Sequence, residues 1–348
     1  MQIKAKKAEA LIKAASISFI AVLVLAFPKE TAASTVNSIN VCLNSIIPSM
    51  FAFMVISDYI LSSGMYRVIF RPVLPIMKKI IKADDETVSV FMLSLFGGYP
   101  VGVTLLRDRT AYNSDYHEIA GYTSSFCYCI SPSFAIIMLG NGIFGSTAAG
   151  IVIYLSDILS CLIAGAIVSR IHDIRYGTRS VPLKGTITDA VNCASKSLFT
   201  VCTVIVAFNI VLTCITGLLR AFGISLPDEL IGTLEISNLL KTDSHGAGTI
   251  PLAAAVSSFG GVCVLLQCAA IIKGAFPIKH FLIARIPCAG LSAAISWVIL
   301  QFLDISVSAS TFSADYIYEF SANKVIVPVL IAMCIIIFHN SDKIFKKV

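Results

Sequence analysis

Charge is scarce in this sequence. Lysine, arginine, aspartate and glutamate together supply 13 % of the 348 residues, against 57 % hydrophobic ones, and the mean hydropathy is +0.86. A soluble domain carries about a quarter of its residues as charges, so this composition excludes an ordinary soluble globular fold and places the chain in a lipid bilayer. The familiar catalytic signatures are missing too. There is no H-E-x-x-H, no P-loop and no G-x-S-x-G, which leaves a metalloprotease, ATP-driven transport and a serine hydrolase without support. The five histidines, His117, His172, His245, His280 and His339, fall in loops or at the ends of apolar runs. The eleven cysteines contain no C-x-x-C pair and read as small apolar packing residues. Cys127 and Cys129, beside a proline, are the one close pair and are candidates to line a cavity. No metal, no cofactor and no enzymatic activity are expected. The net charge of +6 lies mostly in loops, so it describes orientation better than partners, and nucleic-acid binding is not expected.

Long apolar runs are what the chain has instead. A helix needs roughly 20 residues to cross the hydrocarbon core, and stretches near 11–27, 38–63, 87–106, 119–139, 143–169, 196–219, 247–272, 279–302 and 324–339 reach or approach that length. Lys4, Lys6, Lys7 and Lys13 precede the first and place the N-terminus in the cytoplasm by the positive-inside rule. Arg67, Arg71, Lys78, Lys79 and Lys82 mark a second cytoplasmic segment, and Arg170, Arg175, Arg179 and Lys184 a third. The acidic stretch from Asp304 to Glu319 is expected on the outer side. Residues 1–34 also admit reading as a secretory signal, with a small-residue exit at Thr31-Ala32-Ala33-Ser34, although an uncleaved first helix serves equally well.

A glycine pair occurs twice within these runs, as Phe96-Gly97-Gly98-Tyr99-Pro100 and Phe259-Gly260-Gly261-Val262-Cys263. Each follows a long span, Cys42 to Ser63 or Cys193 to Gly217, and a less apolar stretch, Arg71 to Lys79 or Leu226 to Leu240, that reads as an interfacial helix. The order predicts an all-α polytopic membrane protein with about 7–9 transmembrane helices, built from two repeats with a glycine-broken or re-entrant segment in each. The expected divisions are 1–34, a membrane helix with a basic start; 35–170, the first repeat; 171–192, a basic linker; 193–302, the second repeat; and 303–348, an acidic loop, a last helix and a basic tail. If both broken segments re-enter, the first copy crosses three times and its successor is inverted, which is the expected arrangement. That reading puts the acidic loop inside and Lys343, Lys346 and Lys347 outside, against the charge rule; letting only the second segment cross repairs the C-terminus.

Breaks in mid-membrane free backbone groups that cost several kcal/mol each unless protein, water or a ligand satisfies them. Gly97, Gly98, Tyr99, Pro100, Gly260 and Gly261 are therefore candidates to shape a solute site, with Ser131 of the Ser131-Pro132-Ser133 break and Glu235, Asn238 and Gln267 adding polar contacts. The alternative is close helix packing through small residues. Asp58 and Asp157 are carboxylates within apolar runs and are candidates to carry a coupling ion, or to make structural hydrogen bonds with their serine neighbours. Arg107 and Arg285 follow the two breaks and suit an anion at a cavity mouth, or snorkelling to headgroups.

Phe96-Gly97-Gly98-Tyr99-Pro100-Val101-Gly102, Phe126-Cys127 through Ser131-Pro132, and Gly140-Asn141-Gly142-Ile143-Phe144-Gly145 resemble the first half of the sporulation integral membrane protein YlbJ family, also called SpoVV. Leu234-Glu235-Ile236-Ser237-Asn238, Phe259 through Gln267, and Phe281-Leu282-Ile283-Ala284-Arg285 resemble its second half in the same order. The likeness runs from about Val41 to Val298. It implies the Gate, or nucleoside recognition, group, similar to concentrative nucleoside transporters with re-entrant hairpins, and a role in moving dipicolinic acid across a bacterial or forespore-surrounding membrane. Two departures bear on the substrate: Tyr128 and Cys129 stand where the family tends to asparagine, and Pro287-Cys288 where it has His-Gly. Both remove polar groups from candidate cavity positions. The expectation is a transporter of a small organic anion, with a nucleoside or other solute, or a non-transporting membrane scaffold, as alternatives; homo-oligomerisation is left open.

Overall fold

The computed structural model describes residues 2–112, 116–172, 185–227, 234, 247–303 and 305, with side chains from residue 12 onward, Tyr112 excepted. Glu235, Asn238, most of the linker at 171–192, the last apolar run at 324–339 and the basic tail lie outside them. Every regular element among the described residues is helical, and five helices are long and apolar enough to cross a membrane. The protein is an all-α, multi-pass membrane protein.

Helix α1 (Gln2–Ala26) bends into α2 (Pro28–Ser62) at Phe27, where the proline that follows forbids a continuous helix. The next proline, Pro48, falls where a π turn at Cys42–Ile46 has just ended, and α2 runs on through it. Its counterpart α10 (Ile187–Ala221) opens with a capping box in which Thr186 and Asp189 satisfy each other's backbone amides. Each is 35 residues, roughly 52 Å at helical rise, so each overruns the hydrocarbon core. They lie antiparallel: Ser34 Oγ donates to Asn209 O at 3.3 Å, Cys42 Sγ lies 3.9 Å from Cys202 O, and Gly185 sits against Ser62. The first spans of the two repeats therefore run in opposite directions, as an inverted duplication requires.

Between them, the short helices α3 (Tyr66–Ile69) and α4 (Leu74–Ile80) carry the basic segment into α5 (Asp85–Gly97), which is broken from α6 (Tyr99–Tyr112) at Gly98. Arg109, near the end of α6, reaches back to where α5 begins. Its Nε lies 2.6 Å from Glu86 Oε1 and its Nη2 lies 3.3 Å from Asp84 Oδ2, while Asp84 Oδ1 caps Thr87 N–H at 3.0 Å. Tyr116 closes the clamp, accepting from Arg109 Nη1 at 3.0 Å and lying 2.9 Å from Thr87 Oγ1. Entry and exit are thus pinned at one face, and the segment is a re-entrant hairpin with its tip at Gly98. The 87–106 run, expected among the candidate spans, does not cross.

The remaining described helices are α7 (His117–Thr123), the π-helical α8 (Phe134–Ile143), α9 (Thr147–Ile171), α11 (Ile250–Phe259), α12 (Gly261–Ile272) and α13 (Lys279–Leu300). Arg170 Nη1 donates to Ile80 O at 2.8 Å and Lys82 N–H to Ser169 Oγ at 3.2 Å, which brings both basic segments to the hairpin's face. Tyr122 stacks on His172 at 4.0 Å and meets the His280 ring at a tilt at 4.3 Å, and Pro277 lies against Gly121, so residues 277–280 are on that face too.

That placement decides the second broken segment. The chain leaves α10 at the far face and is back at the basic face by Pro277. Ser292 Oγ, well along the helix Lys279–Leu300, donates to Ala254 O at 3.3 Å, so Ala247–Ile272 enters from the far face, and its 26 residues with mean hydropathy 2.0 make the crossing. Its halves also part company, α11 packing on α13 and α9, α12 on α6 and α10. The symmetric arrangement, with both segments re-entrant, is therefore corrected. The physical reason is that Ala247–Ile250 offers no carboxylate to play the part of Asp84 and Glu86. Helix α13 then delivers the chain to the far face just before the acidic stretch, which removes the conflict with the charge rule. Single cysteines at Tyr112 and Ala275, with the half-exposed Cys193 and Cys202 replaced, should both label from the basic face. Labelling from opposite faces would refute this topology.

The clamp carries a pH signature. Burial pushes the Glu86 carboxyl from 4.5 up to about 7, against the pull of Arg109. A folded-state value above the unfolded one means that the folded protein holds this proton more tightly, so the contribution is complete below about pH 4.5 and is lost as pH rises to about 7. The thermal midpoint in detergent should fall across that window and level off above it, and Glu86→Gln should flatten the slope.

Candidate functional site

The breaks meet. Between α7 and α8 the chain unwinds over residues 127–131, because Pro132 disfavours helix at the residue before it. Phe126, Cys127, Tyr128, Cys129 and Ile130 are all fully buried. At the hairpin tip, Gly98 adopts φ 84° and ψ −174°, and a Cβ there would lie 2.9 Å from Ser131 Cβ. At the other break, Gly260 adopts φ 88°, and a Cβ would collide with the Tyr128 hydroxyl. Gly102, one turn into α6, lies against Cys127 O. The hairpin tip, the unwound segment and the α11–α12 break form one closed junction.

Exposed carbonyls at the junction are satisfied by tyrosine. Tyr99 Oη donates to Ser257 O, Tyr128 Oη to Phe259 O at 3.3 Å, and Tyr154 Oη to Leu95 O at 2.9 Å. The Tyr99 and Tyr128 rings pack at 4.7 Å. By contrast, the helix that opens at Gly261 has no side-chain cap on its amide end, and that of α6 is met in its first turn by Val101 N–H bonding Gly98 O at 3.1 Å. The carbonyl poles are capped by side chains while the amide pole at Gly261 is not, which leaves the junction electropositive in its backbone.

Two buried charges hold the unwound segment. Ile130 N–H donates to Asp157 Oδ2 at 2.8 Å. Arg285 donates to Ser125 O, and to Tyr128 O at 3.4 Å, with its guanidinium 4.4 Å from the Tyr128 ring centroid and 5.3 Å from that of Phe281. Both side chains are fully buried. Arg285 is thus neither at a cavity mouth nor snorkelling, and Asp157 takes its bond from backbone, not from Ser156 or Ser160; Ser160 donates to Cys288 O at 2.8 Å. Cys127 and Cys129, expected as cavity lining, are core.

Asp58 and Arg107 come together elsewhere. Arg107 Nε bonds Asp108 Oδ1 at 2.8 Å, Cys193 Sγ donates to Asp108 Oδ2 at 2.8 Å, and the ligand atoms of Asp58, Asp108 and Cys193 all lie within 4.8 Å of one another. This half-buried cluster joins α2, α6 and α10 near the basic end of the hairpin. Of the other expected site residues, Gly97, Tyr99, Pro100 and Gly261 are buried at the breaks and Ser131 is half-buried beside the tip. Gln267 spends its amide within its own helix, Nε2 donating to Cys263 Sγ one turn back at 3.4 Å. Tyr128, marked by the sequence as a candidate cavity position, lies in the junction, and Tyr154 and Cys161 join it there. The sequence signal for the last two is faint: Cys161 at i+4 from Asp157. No protein-family model, curated protein or solved structure matches this chain.

Proposed function

We propose that this protein transports a small organic anion across the membrane. The observation that carries the reading is the junction itself: a hairpin tip, a broken span and an unwound segment meeting among fully buried residues, the arrangement in which membrane carriers place solute sites. Tyrosine hydroxyls cover the carbonyl ends while the amide end at Gly261 has no side-chain cap, which favours a negatively charged solute. The resemblance to the YlbJ family makes dipicolinate, moved during sporulation, the specific candidate. Binding requires the junction to open, and separation of Tyr99 from Ser257 and of Tyr128 from Phe259 is the motion that would open it. In this reading the Asp58, Asp108, Arg107 and Cys193 cluster couples transport to an ion, because two carboxylates lie together there and, among the described residues, one guanidinium, Arg107, pairs with Asp108 alone.

The test is uptake of labelled dipicolinate into proteoliposomes, with a nucleoside and a monocarboxylate as competitors. Saturable uptake that dipicolinate alone displaces supports the reading; displacement by the nucleoside moves the substrate to that class. No uptake of any of the three by folded protein overturns it.

A further inference from the structure

Cys129, Asp157 and Cys161 converge in the junction with donor capacity that their bonds to the unwound segment do not use up. Asp157 and Cys161 lie four residues apart on α9 and so share a helix face, and the unwound segment brings Cys129 onto that face. Their sulfur and carboxylate atoms all lie within 4.8 Å of one another, and all three residues are fully buried. The site has unused polar capacity. Asp157 Oδ2 is occupied by Ile130 N–H, but Oδ1 has no hydrogen bond; Ser258, from the end of α11, interacts with Asp157, yet its Oγ falls outside hydrogen-bonding geometry.

We propose that Cys129, Asp157 and Cys161, with the Ser258 hydroxyl as a fourth ligand, bind a thiophilic divalent cation of the Zn²⁺ class. Two sulfurs and one or two oxygens form a tetrahedral donor set for such an ion, whose ligands sit about 3.5–4 Å apart. The observed cluster needs only a small contraction to reach it. Charge favours the exchange. The cluster supplies two thiols and the Asp157 carboxyl group, with the Arg285 guanidinium close enough to interact with it. Loading replaces two thiol protons by one M²⁺, M²⁺ + 2 RSH → M(SR)₂ + 2 H⁺, with the protons released to water. The net charge of the buried site does not change, so no charge is added to a low-dielectric interior. Cys161 gives up its bond to Tyr128 O on ionisation, 3.1 Å in this structure, but that carbonyl keeps Arg285 Nη1. The ion would tie α9, the unwound segment and the α11 break into one unit.

The experiment uses full-length protein from cells grown with added Zn²⁺ or Co²⁺ and purified under a phosphine reductant. X-ray absorption on the zinc form should show two sulfur neighbours at about 2.3 Å and oxygen near 2.0 Å; the cobalt form should show thiolate-to-metal charge-transfer bands. Cys129→Ser and Cys161→Ser should each halve the sulfur count and weaken binding by about 100-fold or more, since loss of even an outer-shell partner costs about 10- to 100-fold. Asp157→Asn keeps an acceptor for Ile130 and should weaken binding while the fold survives. Cys127→Ser, two residues away, should leave the metal bound. Folded wild-type protein without bound metal, or a bound metal without sulfur neighbours, overturns the proposal without reference to any variant, and so does a site that survives loss of both Cys129 and Cys161. Because the readout is metal coordination, it is independent of whether the protein carries dipicolinate.

Discussion

Arg285→Ala should destabilise the protein by about 3–5 kcal/mol, enough that little monodisperse material survives detergent extraction. The expectation rests on what this guanidinium does. It is fully buried, and among the described residues it forms no salt bridge. It spends its donors on Ser125 O and Tyr128 O, carbonyls that helix would have satisfied had Pro132 not unwound the chain. Removing it strands Ser125 O away from water, at a cost of a few kcal/mol, and opens a void between the Tyr128 and Phe281 rings that now flank it. Arg285→Lys should recover part of the loss, since one ammonium cannot reproduce the planar fork that spans two carbonyls. The other side chain that holds the unwound segment, Asp157, should behave differently. Asp157→Asn retains an oxygen for Ile130 N–H and should be mild, whereas Asp157→Ala leaves a buried amide unsatisfied and should be severe. The measurement is the thermal midpoint and elution profile of each variant in one detergent. An Arg285→Ala protein with wild-type behaviour would mean that the unwound segment is held by something other than these bonds.

The sequence makes the breaks visible and leaves their partners hidden. Gly98 and Gly260 announce themselves because two glycines in an apolar run have no helical rationale, and both are where the helices stop. The long antiparallel pair α2 and α10 is legible for the same reason, as uninterrupted apolar periodicity. The hairpin was harder. Its run at 87–106 has almost the length and hydropathy of a span, and only the contact of Arg109 with Asp84 and Glu86, acids that look like ordinary interfacial charges, turns it back. The same missing acids make Ala247–Ile272 cross. Charge pairing is where local reading runs out. Asp58 gathers with Asp108 and Cys193 beside Arg107, and Asp157 and Arg285 grip the same unwound segment, yet each grouping is assembled by tertiary packing that no spacing in the chain encodes. A lone charge in an apolar run marks a residue with a role; which role depends on who faces it.

Gly260→Ala should abolish transport in the proteoliposome assay while costing more stability than its backbone conformation alone explains. Any L-residue at φ 88° is strained by about 1–3 kcal/mol, and the methyl would in addition occupy the space of the Tyr128 hydroxyl, an overpacking cost of about 1–3 kcal/mol more. Gly274 separates the two contributions. It has φ 81° and nothing within 4 Å of a Cβ position, so Gly274→Ala reports the backbone cost by itself and should leave uptake intact. Tyr128→Phe removes the colliding oxygen, at the expense of its bond to Phe259 O. If the collision is what disables Gly260→Ala, the double variant Gly260→Ala/Tyr128→Phe should be more stable than Gly260→Ala alone, with a coupling of about 1–3 kcal/mol in the cycle. Recovery of uptake in that double variant would show that the close approach of the unwound segment to the α11 break serves packing. Recovery of stability without uptake would assign the Tyr128 hydroxyl to the transport path itself. Strict additivity would remove the junction from the explanation, because two residues that touch in the working protein cannot fail to feel each other's loss.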